Sequence, residues 1–154
     1  MTVKVAEGEP KHEHDLDLIL IISDIQKLVT RMMIRESLKE NLTLKQSAVL
    51  QLLANKGPIQ MNQISRELLT TSANITSLID RLERKGLVRR VEDNDDRRKI
   101  IIQLTTEGKK LFEVASGRYR KNVQEVFNTL GQIEKEELYT LIKKVRDELS
   151  SRYA

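Results

Sequence analysis

From about Asp15 to Gly86 the apolar residues of this chain recur at helical spacing. Between Leu87 and Leu104 they do not, and beyond Thr105 the helical spacing returns. This single interruption constrains the fold more than any other feature. Leu87 to Glu92 and Lys99 to Leu104 are short and rich in β-branched residues, and the polar run Asp93-Asn94-Asp95-Asp96-Arg97-Arg98 separates them. Two such runs joined by a polar turn predict a β-hairpin. The expected class is therefore mainly α with a small β-hairpin (α+β).

The helices around the hairpin can be delimited from their punctuation. From about Asp15 to Lys39, Leu18, Ile22, Ile25, Val29 and Met32 form a stripe, widened by Leu16, Ile19, Ile21, Leu28 and Met33. An apolar surface this broad needs cover on more than one side, and in a small chain a partner subunit is a natural source. Thr43-Leu44-Lys45-Gln46 is a capping-box pattern opening a helix through Ala48, Val49, Leu52 and Leu53. Gly57-Pro58 closes it, by left-handed capping and by the missing proline N–H. A short helix from Met61 to Leu68 points Ile64 and Leu68 inward. Thr70-Thr71-Ser72 then supplies N-cap hydroxyls for a helix from Ser72 to Lys85 that buries Ile75, Leu78, Ile79 and Leu82 and stops at Gly86. Thr105 caps a long helix to about Leu130, with Tyr119 on its apolar side. A last helix, Ile133 to Arg152, carries Leu138, Leu141, Ile142, Val145 and Leu149. Residues 1–12, with Gly8 and Pro10, predict a loose tail.

A short helix, a tight turn, a second helix and a two-stranded hairpin make a winged helix-turn-helix. The second helix of such a pair fits a major groove about 12 Å wide, and the hairpin can reach the flanking minor groove.

Composition excludes the main competing chemistries. The chain has 154 residues, which suit one domain or one domain with helical extensions. It has no cysteine, hence no disulfide, cysteine-zinc site, thiol catalyst or thiol redox sensor. The only histidines flank Glu13 in His12-Glu13-His14, and nothing fixes the carboxylates that a metal there would need. No Ser-His or Cys-His pairing and no glycine-rich phosphate loop stands out, so the chain is expected to be no enzyme and to carry no cofactor or metal. Five aromatic residues are too few for a stacked single-strand platform. The most apolar run, Leu18 to Ile22, is five residues where a membrane helix needs about 20. No leader pattern follows the first lysine, and a cytoplasmic location is expected. Net charge is +4, but Arg84 to Lys99 concentrates seven basic side chains in sixteen positions, a density suited to a polyanion.

The segment Leu82-Glu83-Arg84-Lys85-Gly86-Leu87-Val88-Arg89-Arg90, followed by Asp96-Arg97-Arg98 and by Leu104-Thr105-Thr106-Glu107-Gly108, resembles the MarR family of transcription regulators. Leu42-Thr43 through Gly57-Pro58 looks like that family's second helix and its break, and the similarity runs from about residue 42 to 112. The resemblance implies a winged helix-turn-helix over 42–104. It also implies a dimerisation domain formed by 13–41 and 105–154, a homodimer, and a pseudopalindromic double-stranded DNA operator. Repression released by a small phenolic or similar aromatic ligand is the behaviour it suggests, and Tyr119 is a candidate for lining that ligand's pocket.

The residues expected to touch DNA follow from both lines of reading. Opposite the buried stripe of the second helix lie Ala73, Asn74, Ser77, Arg81 and Arg84, flanked by Ser72 and Thr76. Asn can bond adenine bidentately, and Ser or Thr can bond several base edges. Many members of the family carry Arg at the position of Ser77, a departure that removes one guanine reader. At the hairpin tip, the family pattern makes Arg98 the minor-groove residue beside Arg97, with Asp96 orienting it through a charge-assisted bond. Arg89, Arg90 and Lys99 are expected on phosphates, which position without specifying. A competing reading is a winged-helix module for protein–protein contact within transcription machinery. That reading predicts an apolar exposed second helix, where this sequence is polar.

Overall fold

The computed structural model describes residues 13–92 and 99–153. The expected N-terminal tail and the hairpin tip with Asp96, Arg97 and Arg98 lie outside the described residues, as does His12. Among the described residues, six helices and three short strands follow in the order α1 (Glu13–Lys39), α2 (Leu44–Lys56), β1 (Ile59–Gln60), α3 (Met61–Glu67), α4 (Ser72–Arg84), β2 (Val88–Glu92), β3 (Ile100–Leu104), α5 (Thr106–Phe127) and α6 (Gln132–Tyr153). The chain divides into two compact units, Met1–Phe112 and Glu113–Ala154.

The predicted hairpin is present, with Val88 opposite Leu104, Arg90 opposite Ile102 and Glu92 opposite Ile100. The sheet has one strand more than expected. β1 pairs antiparallel with β3, Ile59 opposite Ile102 and Gln60 opposite Ile101, giving the order β1-β3-β2. A two-residue strand gives no periodicity to detect. Its cause lies just upstream, where Gly57 adopts φ 77° and ψ −159°. This is not the expected left-handed cap but a mirror-extended conformation open essentially to glycine alone. It turns the chain after α2 back toward the hairpin, and Pro58 is tolerated because it precedes an edge strand.

The core of the first unit joins Val49, Leu50 and Leu53 of α2 to Ile64 of α3, to Ile75, Ile79 and Leu82 of α4, and to Leu87, Val88 and Ile102 of the sheet. On α2 the buried face is shifted from the expected one. Leu50 is buried, while Ala48 and Leu52 are only half-buried. Gln46 is buried as well, because its side chain folds back to complete the capping box: Gln46 Oε1 accepts from Thr43 N (3.0 Å) and Thr43 Oγ1 from Gln46 N (3.2 Å).

Three helices end in the same way. In each, the residue after the cap has positive φ and donates its N–H three positions back, while the next residue donates five back. At α1 these are Asn41 (φ 53°) to Leu38 and Leu42 to Ser37. At α3 they are Leu69 (φ 47°) to Arg66 and Thr70 to Ser65, and at α4 Gly86 (φ 68°) to Glu83 and Leu87 to Leu82. Asn and Gly tolerate that backbone; Leu does not.

The first turn of α5 is fastened to the base of the wing. Thr105 N donates to Leu87 O (3.1 Å), and the Thr105 hydroxyl donates to Gly86 O (2.6 Å). Thr105 Oγ1 in turn accepts from Gly108 N (3.0 Å). Gly108 is buried there with no room for a side chain, since a Cβ would stand 2.0 Å from Leu87 O. The Leu-Thr-x-x-Gly pattern of the sequence is this joint.

α1 and α6 leave their apolar stripes in solvent. Leu16, Leu20 and Leu28 of α1 are more than half exposed, and α6 has no buried residue at all. Within the second unit, Phe127, Leu138, Tyr139 and Ile142 line an open cavity of about 420 Å³ whose rim carries Lys135, Lys143 and Arg146. No helix among the described residues is long and apolar enough to cross a membrane.

Candidate nucleic-acid interface

The interface is built around α4, a two-sided helix. Ile75, Ile79 and Leu82 have no exposed surface. Ser72, Ala73, Asn74, Thr76, Ser77, Arg81 and Arg84 are all exposed. A spacing of three to four residues places the first set on one face and leaves the second facing water. Thr71 is the N-cap, its hydroxyl accepting from Asn74 N (3.3 Å), which satisfies one of the helix's open donors.

The polar side chains of this face differ in how far they are already engaged. Asn74 Nδ2 donates to Thr70 Oγ1 at 3.4 Å, a long bond that leaves the amide oxygen open. The Thr76 hydroxyl donates back to Ser72 O (3.0 Å) and lies 3.6 Å from Met61 Sδ. A hydroxyl bonded to its own helix is a weaker base reader than a free one. Arg84 Nε donates to Asp80 O at 3.4 Å, and Arg81 has no ion pair among the described residues.

The two adjacent arginines of β2, equivalent as a sequence pair, are separated by the pleat. Arg89 is exposed, opposite Gln103 on β3. The Gln103 amide, oriented with its oxygen toward the arginine, accepts from Arg89 Nε (2.8 Å) and Nη2 (3.1 Å). Arg90 faces the other way, onto α4. Its Nη2 donates to Asp80 Oδ1 at 2.5 Å, its Nη1 donates to Glu83 Oε2, and its backbone N donates to Glu83 Oε1 at 3.1 Å. Partial burial opposes its charge, but the hydrogen bond to Asp80 and the charge of Glu83 outweigh it and hold Arg90 more firmly protonated than a free arginine. Arg90 is thus a clamp between wing and helix, two of its donors spent inside the chain. The sequence reading missed this role. Its signal is the Asp80/Glu83 pair, three apart on α4 and followed directly by a basic strand.

Lys99 is exposed at the foot of β3. Tyr119 is half-buried on α5 in the second unit and does not line the 420 Å³ cavity there. Among the described residues no group of three or more His, Cys, Asp or Glu could hold a metal ion. Leu69, between α3 and α4, was not singled out by the sequence and is 94% exposed.

Residues 42–100 match the family model described as the MarR family. Over 142 residues the chain is 30% identical to YkoM, an uncharacterized HTH-type transcriptional regulator of Bacillus subtilis, covering 92% of each protein. Among solved structures it superposes on a MarR family protein from Bacillus stearothermophilus with a TM-score of 0.82 at 20% identity, over 92% of this chain and 99% of that one. It also superposes on a variant of MepR from Staphylococcus aureus bound to an oligodeoxyribonucleotide, with a TM-score of 0.65 at 25% identity, over 86% of this chain and 97% of that one.

Proposed function

Because the chain belongs to the MarR family of DNA-binding winged helix-turn-helix transcription regulators, which are not enzymes, we propose that it is a cytoplasmic, dimeric repressor of a pseudopalindromic operator. The carrying observation is the two-sidedness of α4: a face of fully buried aliphatics backed by a face of Asn, Ser, Thr and Arg, beside a basic hairpin. In this reading α4 enters the major groove, where Ser72, Asn74 and Ser77 meet base edges. Arg81, Arg84, Arg89 and Lys99 meet phosphates. Arg98 enters the minor groove beside Arg97, oriented by Asp96. A second copy of the chain, for which 13–41 and 105–154 supply the dimerisation domain, covers the exposed stripes of α1 and α6. A small aromatic ligand with Tyr119 among its contacts would release the operator.

Selection of duplexes from a randomised pool, followed by mobility shift, tests the core of this reading. The enriched sites are expected to contain two related half-sites about one helical turn apart. Failure to enrich any sequence defeats it.

Two pairs of substitutions test the wing. Arg98→Ala should weaken operator binding by about 1–3 kcal/mol because the minor groove is left empty. Asp96→Ala should cost nearly as much although it removes a negative charge, because Arg98 then has no anchor. Simple electrostatics predicts the opposite sign, so tighter binding by Asp96→Ala in a titration defeats the orienting role. In β2 the two arginines should separate. Arg89→Ala should leave unfolding unchanged and lower the salt slope of binding by about 1 for each phosphate it no longer neutralises. Arg90→Ala should lower stability by about 1 kcal/mol, since it leaves Asp80 and Glu83 adjacent and unpaired. Equal urea midpoints for the two variants would show that the clamp holds nothing.

A further inference from the structure

The three helix ends with left-handed caps pose an inconsistency that the fold alone does not resolve. Their hydrogen bonds are the same: the five-residue bond is 3.0 Å at α1, α3 and α4, and the shorter-range one is 3.0, 3.2 and 2.8 Å. Two of the caps carry Asn41 and Gly86, residues for which positive φ is cheap. The third carries Leu69, for which a left-handed backbone sets Cβ against the following carbonyl. Its side chain gives nothing back, being 94% exposed and outside the core, while the preceding Leu68 packs against the core instead. So Leu69 combines backbone strain with an apolar side chain left in water. Strain of this kind persists where a site uses it.

Its place in the chain identifies the use. Leu69 stands two residues before Thr71, the N-cap of α4, and three before Ser72, where the exposed polar face of that helix begins. Resting on the DNA reading above, we infer that Leu69 is an operator contact whose side chain packs on the C5-methyl group of a thymine. That methyl is the apolar group a base pair offers in the major groove. Packing on it removes from water the surface that the free protein leaves exposed. Leu69 would then add a preference for thymine at one position of each half-site, alongside the hydrogen-bonding readers of α4.

The inference makes stability and binding move in opposite directions. Leu69→Gly and Leu69→Asn relieve the backbone, so each should raise the folding constant about 2–5-fold. Each should also weaken binding about ten-fold on a duplex that the wild-type protein selects from a randomised pool. The salt slope should stay unchanged, because every phosphate remains as neutralised as before. Leu69→Met keeps the apolar group and should bind within about two-fold of wild type. Replacing thymine by deoxyuridine at each half-site position in turn removes single methyl groups. One replacement should weaken wild-type binding about ten-fold and leave Leu69→Gly unaffected. Undiminished binding by Leu69→Gly overturns the inference and points to a protein contact instead. So does a series in which every deoxyuridine costs both proteins the same. If wild type itself enriches no duplex, the DNA reading falls and this inference with it. A wild type that binds normally beside an equally tight Leu69→Gly defeats the inference alone.

Discussion

Gly108→Ala should destabilise the protein by roughly 3 kcal/mol, more than most single surface or helix substitutions. In a free helix this change would be favourable by about 1 kcal/mol. The sign reverses because the added Cβ would stand 2.0 Å from Leu87 O and 3.3 Å from Leu104 Cδ2. The first obstacle is backbone and cannot rotate away. It can yield only if α5 lifts from the wing, which stretches the bonds of Thr105 to Leu87 and Gly86. Gly117, in the same helix with nothing within 4 Å of its would-be Cβ, is the control. Gly117→Ala should gain up to about 1 kcal/mol. Urea unfolding of the two variants measures both. A Gly108→Ala midpoint within error of wild type would show that the joint carries no weight.

Operator affinity should fall about 10⁴-fold between 50 and 200 mM salt. On the proposed reading the cations on phosphates are Arg81, Arg84, Arg89 and Lys99, and two copies of the chain would neutralise about 8 phosphates. At a slope of about −0.9 per phosphate, a four-fold rise in salt produces that fall. Arg90 is excluded from the count because its guanidinium is turned onto α4, against Asp80 and Glu83. The overall charge of +4 is too small and too dispersed to produce such a slope without a local cluster. A titration series across that range, read as log K against log salt, should give a slope of about −7. A slope about half as steep means that one subunit binds at a time, and a flat response means that the basic hairpin serves a protein partner.

Most of the architecture was legible because it rests on local, repeated signals. Six helices and the hairpin could be placed from apolar spacing, the Thr43 and Thr71 caps and the Gly86 stop. β1 was not legible, since two residues carry no period and the strand exists only because Gly57 redirects the chain. The burial shift on α2, from Leu52 to Leu50, depends on how the helix rolls against its neighbours, which no local pattern encodes. The exposed face of α4 could be read directly, as burial of Ile75, Ile79 and Leu82 dictates what lies opposite. The fate of Arg90 could not, because it depends on which side of a pleated strand each of two consecutive arginines occupies. A one-residue change of register would have exchanged their roles. Leu69 escaped notice for a related reason: an exposed leucine is unremarkable until its φ is known.

The separation of faces on α4 bears on how proteins of this kind diverge. Ser72, Asn74 and Ser77 lie on the exposed face, while Ile75, Ile79 and Leu82 contribute nothing to it. On the proposed reading, a gene copy can therefore change its target by single steps at the first three positions without passing through a poorly folded ancestor. On the same reading, the last three can exchange one aliphatic for another while the promoter that is read stays the same. Lineages that inherit this helix are free to accumulate new targets faster than new folds.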